Sequence, residues 1–311
     1  MRALLYHGPG DLRVEEVPRP EPGPGEVLVR VEVALTDGTD AKAFRRGHPL
    51  LLAETPSPFG HELCGIDVAT GRRVVPANSA PCGECVPCLR GEETLCKNLR
   101  PFLNGAYAEF VLVPERIARR NLLPVPAGLA PEVAALVEPL ACCLHGIERA
   151  TVEPGQTVAV LGPGPIGLML CAAARDAGAT VVAVGGRPER RELAREFGAL
   201  PGDGAGADVV LEAVGSADAW RDALEIVRPG GTVLFFGGRE LAVDTFRLHY
   251  EELTLRGAFH HTPRTVRAAL AFLASGAYPW ERLVTHQVTL EEVAGLFTDP
   301  PPDLLKAAVL P

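Results

Sequence analysis

The period of the hydrophobic and polar positions changes near residue 156. In about the first 125 residues, short alternating runs such as Val27–Val33 are separated by clusters of Pro and Gly such as Pro20–Gly25. Alternation with a period of two predicts β-strands, and the Pro/Gly clusters predict turns between them. Beyond residue 156, short hydrophobic runs alternate with segments of helical period. The pattern therefore predicts a β-rich part followed by an α/β part.

The α/β part predicts a regular succession of strands and helices. We expect strands at 157–161, 180–184, 208–211 and 232–236, and helices at 166–177, at 188–197 and between the last two strands. Strands and helices that alternate at this spacing form a parallel, doubly wound sheet. A helix at about 263–275 and a strand at 307–310 follow. Because this tail is too short for a domain of its own, we expect it to pack onto the β-rich part.

Composition narrows the class of protein. The 311 residues are enough for two domains, and 47% hydrophobic with 22% charged residues is a globular balance. A net charge of −9 without a basic stripe argues against nucleic acid as a partner. Since no apolar run approaches the length of a membrane span, we expect a cytoplasmic protein. Few Asn and Gln residues and many prolines are typical of a thermophilic source, although genome base composition gives the same bias toward Arg.

A glycine-rich turn follows the first strand of the α/β part. It has the pattern G-x-G-x-x-G and consists of Gly162, Pro163, Gly164, Pro165, Ile166 and Gly167. Such a turn between a buried strand and an apolar helix lets the backbone approach a pyrophosphate at the helix N-terminus. A plain strand–helix turn is the alternative interpretation, but the flanking strand and helix favour a dinucleotide site.

The end of the second strand indicates which dinucleotide binds. NAD sites place an acidic residue about 20 residues after the turn, where it holds the ribose 2′-hydroxyl. Here Gly185 occupies that position and is followed by Gly186 and Arg187. Without a carboxylate a 2′-phosphate is not repelled, and a guanidinium can pair with it. The loop therefore predicts a preference for NADP over NAD, unless Arg187 is only a solvated charge at a helix start.

Four of the eight cysteines are closely spaced: Cys82, Cys85, Cys88 and Cys96. In a reducing compartment disulfides are uncommon, whereas four thiolates at this spacing can surround one tetrahedral zinc. An iron–sulfur cluster is a competing interpretation, but ferredoxin-type runs space their ligands differently. A third interpretation is that the four cysteines are free buried thiols. We expect a closed, structural zinc site.

Together these features resemble the medium-chain zinc-dependent alcohol, polyol and glucose dehydrogenases, and the resemblance covers nearly the whole chain. Gly60-His61-Glu62 is similar to the family's G-H-E motif, and Val137–Leu140 to its E-P segment. The resemblance implies an α/β fold with a GroES-like catalytic domain and a Rossmann domain. We expect the catalytic domain to comprise residues 1–139 and 258–311, and the Rossmann dinucleotide-binding domain to comprise residues 140–257.

The resemblance also implies a catalytic zinc. The family's ligands correspond to position 37, His61 and Glu138, and the glutamate after the histidine, here Glu62, can exchange into the ligand set. The family's C-G-T-D motif begins with Asp37 in this chain, which changes a thiolate to a carboxylate. Oxygen is a harder ligand for zinc than sulfur, so we expect this metal to be held weakly. A loop-capping aspartate is the alternative for Asp37.

Further roles follow from the same resemblance. Thr39 corresponds to the hydroxyl that relays the substrate proton, and Lys42 to the next relay position. Ile166 is expected behind the nicotinamide, and Lys306 on a cofactor phosphate. The implied chemistry is Lewis-acid activation of an alcohol, which then passes hydride to the nicotinamide.

The resemblance implies a small-molecule alcohol, a sugar or polyol, as substrate of a homo-oligomer, a dimer or tetramer. Two other functions remain open at this stage. One is a zinc-independent enone or quinone reductase on the same fold. The other is a non-catalytic relative that binds the cofactor. The individual substrate is not readable from the sequence, because specificity does not transfer with a fold.

Overall fold

The computed structural model describes residues 1–49, 51–52, 54–100, 102–238, 240 and 242–311. The chain divides into two compact units. Unit 1 comprises Met1–Glu138 and Thr262–Pro311, and unit 2 comprises Pro139–His261. The C-terminal segment thus belongs to the same unit as the β-rich part, which agrees with the expectation that the short tail packs onto it.

Unit 1 is built on two sheets. The smaller sheet has the order β2-β1-β4, and the larger has the order β15-β16-β3-β5-β6-β8, with β7 also paired to β3. The strands of unit 1 are β1 Arg2–Gly8, β2 Asp11–Glu16, β3 Val27–Leu35, β4 Ser57–Pro58, β5 Glu62–Asp67, β6 Arg73–Pro76, β7 Phe110–Val113, β8 Leu122–Pro124, β15 Val284–Thr289 and β16 Lys306–Leu310. Strand β16 returns antiparallel to β3, with Val309 opposite Ala34. This pairing brings Lys306, near the end of the chain, to the end of β3.

Helices lie between these strands along the chain. The helices are α1 Gly38–Arg46, α2 Val86–Leu89, α3 Glu115–Asn121, α4 Pro131–Ala134, α10 Pro263–Ala274 and α11 Val293–Thr298, and α5 Val137–Ala150 begins at the end of the first segment. Helix α1 starts at a capping box, in which Asp37 and Asp40 each accept a hydrogen bond from the backbone N–H of the other. The cap fixes the chain where it leaves β3, so both carboxylates are held next to the start of β5.

Unit 2 is a parallel sheet with the order β11-β10-β9-β12-β13-β14. Its elements are β9 Thr157–Leu161, α6 Pro165–Asp176, β10 Thr180–Val184, α7 Pro188–Glu196, β11 Ala199–Pro201, β12 Ala207–Glu212, α8 Ala217–Ile226, β13 Val227–Phe235, α9 Thr245–Tyr250 and β14 Thr254–Gly257. The change of direction in strand order lies between β9 and β12, which pair in parallel. The predicted doubly wound sheet is confirmed, and in such sheets ligands bind at this switch point.

Among the described residues, no helix combines the length and the apolar composition that crossing a membrane requires.

Candidate metal and cofactor sites

The four closely spaced cysteines converge in unit 1. Four of the distances between their sulfurs lie between 3.4 and 3.9 Å. They are 3.9 Å for Cys82–Cys88, 3.4 Å for Cys85–Cys88, 3.8 Å for Cys85–Cys96 and 3.5 Å for Cys82–Cys96. A tetrahedron with zinc–sulfur bonds of about 2.3 Å has edges of about 3.8 Å. The thiols therefore already form the shape of a closed zinc site.

Backbone amides stabilise the thiolate form of two of these cysteines, Cys82 and Cys85. The N–H of Cys85 donates to Sγ of Cys82 at 3.4 Å, and the N–H of Cys82 donates to Sγ of Cys96 at 3.3 Å. Hydrogen bonds from the backbone amides of Glu84 and Cys85 lower the pKa of Cys82 to about 6. Since metal ligands must be deprotonated, these amides favour zinc binding.

Replacing Cys88 by Ser is expected to remove the zinc at this site and to lower the thermal midpoint of unfolding, because a closed site contributes folding energy. The buried Cys171 in unit 2 gives the matched control, since Cys171→Ser exchanges the same atom away from any cluster of thiols. Zinc content and thermal unfolding are measured on both variants. Full zinc content and full stability in Cys88→Ser would contradict the structural assignment.

A second group of metal-ligating atoms lies where β3 and β5 meet. One ligand atom each from Asp37, His61 and Glu62 lies within 4.8 Å of the others. Oδ2 of Asp37 is 3.8 Å from Nε2 of His61, and the imidazole is only 5% exposed. A metal ion between these two atoms could be bound by both. Imidazole and carboxylate are ordinary zinc ligands, so the residues present fit the metal.

Asp40 fixes the orientation of the imidazole. Its Oδ1 lies 3.1 Å from Nδ1 of His61, and the carboxylate is buried. When Nδ1 donates its proton to a carboxylate, Nε2 carries the lone pair and faces the metal. Its Oδ2 accepts the hydroxyl of Tyr107. The sequence motif contained Asp40, but its role was missed because spacing alone does not show which nitrogen of His61 it meets.

The acidic residues control the charge of His61. Burial alone would lower its pKa, but the carboxylates of Asp40 and Asp37 raise it well above the usual value. Burial also acts against ionisation of Asp37, yet the charges of His61 and Lys306 lower the pKa of that carboxyl. The surrounding carboxylates therefore favour a positive charge at this place in the site, which is the charge that a zinc ion would supply.

Glu62 forms a buried ion pair with Lys306. The ammonium lies 2.8 and 2.7 Å from the two carboxylate oxygens and donates a third hydrogen bond to the carbonyl of Thr36 at 3.1 Å. Burial raises the pKa of Glu62 to about 8 against the effect of Lys306, whose own pKa is raised by Glu62 although burial opposes it. All three ammonium protons are thus in use. This location differs from the expected role of Lys306 on a cofactor phosphate.

The other residues predicted for this site, Glu138, Thr39 and Lys42, differ in how far they are buried. Glu138 is buried, and its charge contributes to raising the pKa of both His61 and Glu62. Thr39 is half-buried in the first turn of α1, and Lys42 is exposed one turn later. Residues three apart on a helix share a face, so these two side chains are neighbours.

The glycine-rich turn in unit 2 has the geometry of a phosphate cradle. Gly162 has φ +89°, and a Cβ on Gly167 would overlap the carbonyl oxygen of Gly162. The position of a Cβ on Gly164, in contrast, has no atom within 4 Å. Gly164 is the N-cap of α6, with Pro165 and Ile166 in the first turn. Two glycines therefore allow close packing, while Gly164 leaves open space at a helix N-terminus that fits a pyrophosphate.

The loop after β10 is open at its glycines and carries an exposed arginine. Gly185 has φ +77° and no atom within 4 Å of a Cβ position. Gly186 packs its Cα against Pro163 of the phosphate turn. Arg187 is the exposed N-cap of α7, and Arg191 donates to the carbonyl of Gly186 at 2.7 Å. The loop leaves space next to a guanidinium that is free to turn toward a ligand.

Comparison with known proteins agrees with this geometry. The alcohol dehydrogenase GroES-like domain matches residues 23–127, and the zinc-binding dehydrogenase domain matches residues 165–275. The chain is 33% identical to an erythritol/L-threitol dehydrogenase of Mycolicibacterium smegmatis over 94% of this chain and 92% of the relative. It is 30% identical to a sorbitol dehydrogenase of Halalkalibacterium halodurans, over 94% of both chains.

Solved structures show the same fold over the whole length. A putative zinc-binding dehydrogenase from Sinorhizobium meliloti 1021, bound to NADP, has a TM-score of 0.89 and 33% identity, covering 100% of this chain and 99% of that one. The alcohol dehydrogenase TADH from Thermus sp. ATN1 has a TM-score of 0.86 and 32% identity, with the same coverage. The chain belongs to the medium-chain zinc-dependent dehydrogenases, and the expected pairing of a GroES-like with a Rossmann-type domain is confirmed.

Proposed function

We propose that this enzyme oxidises a hydroxyl group of a sugar or polyol with NADP, using a zinc ion held in unit 1. The convergence of Asp37, His61 and Glu62 within 4.8 Å carries the proposal, because three metal-ligating groups, two of them buried, come together in a dehydrogenase fold. Relatives named for erythritol, threitol and sorbitol support a polyol substrate.

The chain's own residues divide the work at this site. Asp37 and His61 would hold the zinc, with Glu138 as the third ligand that the family resemblance implies, and Asp40 keeps the lone pair on Nε2 of His61. Lys306 holds Glu62 through both carboxylate oxygens, so Glu62 enters the ligand set only when it leaves the ammonium. When bound, zinc acts as a Lewis acid that lowers the pKa of a substrate hydroxyl.

Proton and hydride leave by separate routes. Thr39 would relay the substrate proton: its Oγ1 accepts that proton while its own hydroxyl proton passes to solvent water, and the neighbouring Lys42 lies at the exposed end of this route. The nicotinamide would accept the hydride from the substrate carbon, and Ile166, in the first turn of α6, would pack behind it. The turn formed by Gly162, Gly164 and Gly167 binds the pyrophosphate.

Metal analysis combined with a substrate panel tests this function. We expect about two zinc ions per chain and oxidation of a polyol or sugar in a panel of alcohols, aldoses and polyols. One zinc ion with reduction of enones or quinones would favour the zinc-independent reductase. One zinc ion and no turnover would favour a non-catalytic relative.

The preference for NADP over NAD is assigned to Arg187. Arg187→Ala is expected to raise the Michaelis constant for NADP by about tenfold or more, because a charge-assisted pair with the 2′-phosphate is lost, and to leave that for NAD unchanged. Arg195→Ala is the matched control, since Arg195 lies on the same helix and pairs with Glu192 at 3.2 Å. Equal effects on both cofactors would contradict the assignment.

Gly185 provides a second test of the same loop. Because φ at Gly185 is +77°, any side chain there carries backbone strain. Gly185→Asp and Gly185→Asn share that strain and differ mainly in charge. We expect only Gly185→Asp to reverse the preference, through repulsion of the 2′-phosphate. A similar loss of NADP binding in both variants would show that strain is responsible.

Assembly and location complete the proposal. We propose a homo-oligomer, a dimer or tetramer, in the cytoplasm of a thermophilic organism. Sedimentation analysis of the purified chain tests the assembly, and the midpoint of thermal unfolding tests the thermophilic source.

A further inference from the structure

Tyr107 lies behind the residues proposed to hold the zinc. Its side chain is completely buried, and its hydroxyl donates to Oδ2 of Asp40 and lies 3.2 Å from the carbonyl of Leu35. Asp40 in turn meets Nδ1 of His61 at 3.1 Å. A continuous chain of hydrogen bonds thus connects a tyrosine in the core to the imidazole whose other nitrogen faces Asp37.

The backbone holds Tyr107 in this place. Its N–H donates to the carbonyl of Phe59 at 3.0 Å, and its own carbonyl accepts the N–H of Leu4 at 2.8 Å. Gly60 has φ +88°, and a Cβ there would overlap the ring of Tyr107. The glycine immediately before His61 is therefore needed for the ring to pack at this place. Ring and imidazole are fixed by the same turn.

The hydroxyl of Tyr107 adds a second hydrogen bond to Oδ2 of Asp40. Oδ1 of Asp40 faces His61, while the other donor to Oδ2 is the backbone N–H of Asp37 at 3.3 Å. A buried carboxylate is stable in one orientation only when its oxygens are hydrogen-bonded. The tyrosine hydroxyl and this N–H together hold Oδ2 in one orientation.

We propose that Tyr107 is a positioning residue for the catalytic zinc, acting through Asp40 to hold His61 ready to bind the metal. The inference rests on the proposed function, since it takes the zinc at Asp37, His61 and Glu138 as given. Groups that orient a metal-binding histidine typically contribute 10–100-fold to metal affinity. Tyr107 lies one hydrogen bond further out, so we expect an effect of about tenfold.

Tyr107→Phe tests the role because it removes the hydroxyl and keeps the ring. The dissociation constant of zinc at the catalytic site is measured by competition with a chromophoric chelator, with the zinc at the four cysteines counted separately. We expect about tenfold weaker binding at the catalytic site and no change at the cysteines. Saturating zinc should restore the wild-type turnover number, which a general loosening of the fold would not do.

Tyr6→Phe is the matched control. Tyr6 is buried in the same core, its ring stacks on Phe59 at 6.0 Å, and its hydroxyl lies beside Gly47. An unchanged zinc affinity in Tyr107→Phe, or an equal loss in Tyr6→Phe, would overturn the positioning role alone. A wild-type chain that binds zinc only at the cysteines would overturn the proposed catalytic metal and this inference together.

Discussion

His61→Ala is expected to reduce the turnover of the alcohol by about 10³-fold or more, equivalent to about 4 kcal/mol of transition-state stabilisation. The imidazole is the nitrogen ligand among the three convergent groups, and its removal leaves carboxylates alone to hold the metal. NADP binding should remain nearly intact, because the glycine turn belongs to unit 2 and His61 to unit 1. Steady-state kinetics and cofactor fluorescence measure the two effects.

Mild chelation should have the same effect as the substitution. Carboxylate and imidazole bind zinc less tightly than four thiolates do, so the catalytic zinc is expected to leave first, with the activity. Since the pKa of His61 is raised, a proton competes with the metal for Nε2, and zinc should leave more readily as pH falls. Asp37→Cys should tighten zinc binding without necessarily raising turnover.

Activity plotted against bound zinc during a chelator titration decides the outcome. His7→Gln is a suitable control, because His7 is a half-buried histidine on β1 that pairs with Glu15 at 2.6 Å and has no proposed ligand role. Full activity with zinc left only at the cysteines would mean that hydride transfer needs no catalytic metal.

The sequence predicted the central strands of unit 2 better than its edges. The runs that became β9 and β12 are mostly apolar and buried, and the run that became β10 is apolar and half-buried; all three lie inside the sheet. The edge strands β11 and β14 were missed, since Ala199–Pro201 is short and contains a proline and Thr254–Gly257 is only half-buried. Strand β13 begins at Val227, earlier than the apolar run starting at residue 232, because it passes through a Pro-Gly-Gly segment.

The sequence motifs likewise identified residues of the site, but they did not show which other side chains these residues pair with. Asp37 and His61 stand in short motifs, so their resemblance to metal ligands is readable from the chain. The pairing of Lys306 with Glu62 is not, because 244 residues separate them. Only the return of β16 against β3 places this lysine beside the start of β5. Long-range charge pairs of this kind depend on sheet register, which local spacing does not encode.

Lys306→Met is expected to destabilise unit 1 by about 3–5 kcal/mol, because it leaves the carboxylate of Glu62 buried without its cation. The two side chains are 1% and 0% exposed, so solvent does not screen the loss. Met has nearly the volume of the lysine stem, which keeps the packing similar. Chemical denaturation followed by a probe in unit 1 measures the change in the free energy of unfolding.

A double-mutant cycle separates the ion pair from a role on the cofactor. Glu62→Gln combined with Lys306→Met removes both charges and should recover more than half of the lost stability, giving a coupling energy of about 2 kcal/mol or more. The dissociation constant of NADP should change by less than about twofold in Lys306→Met, because all three ammonium protons are used within unit 1. Unchanged stability together with a large rise in that constant would instead assign Lys306 to the cofactor phosphate.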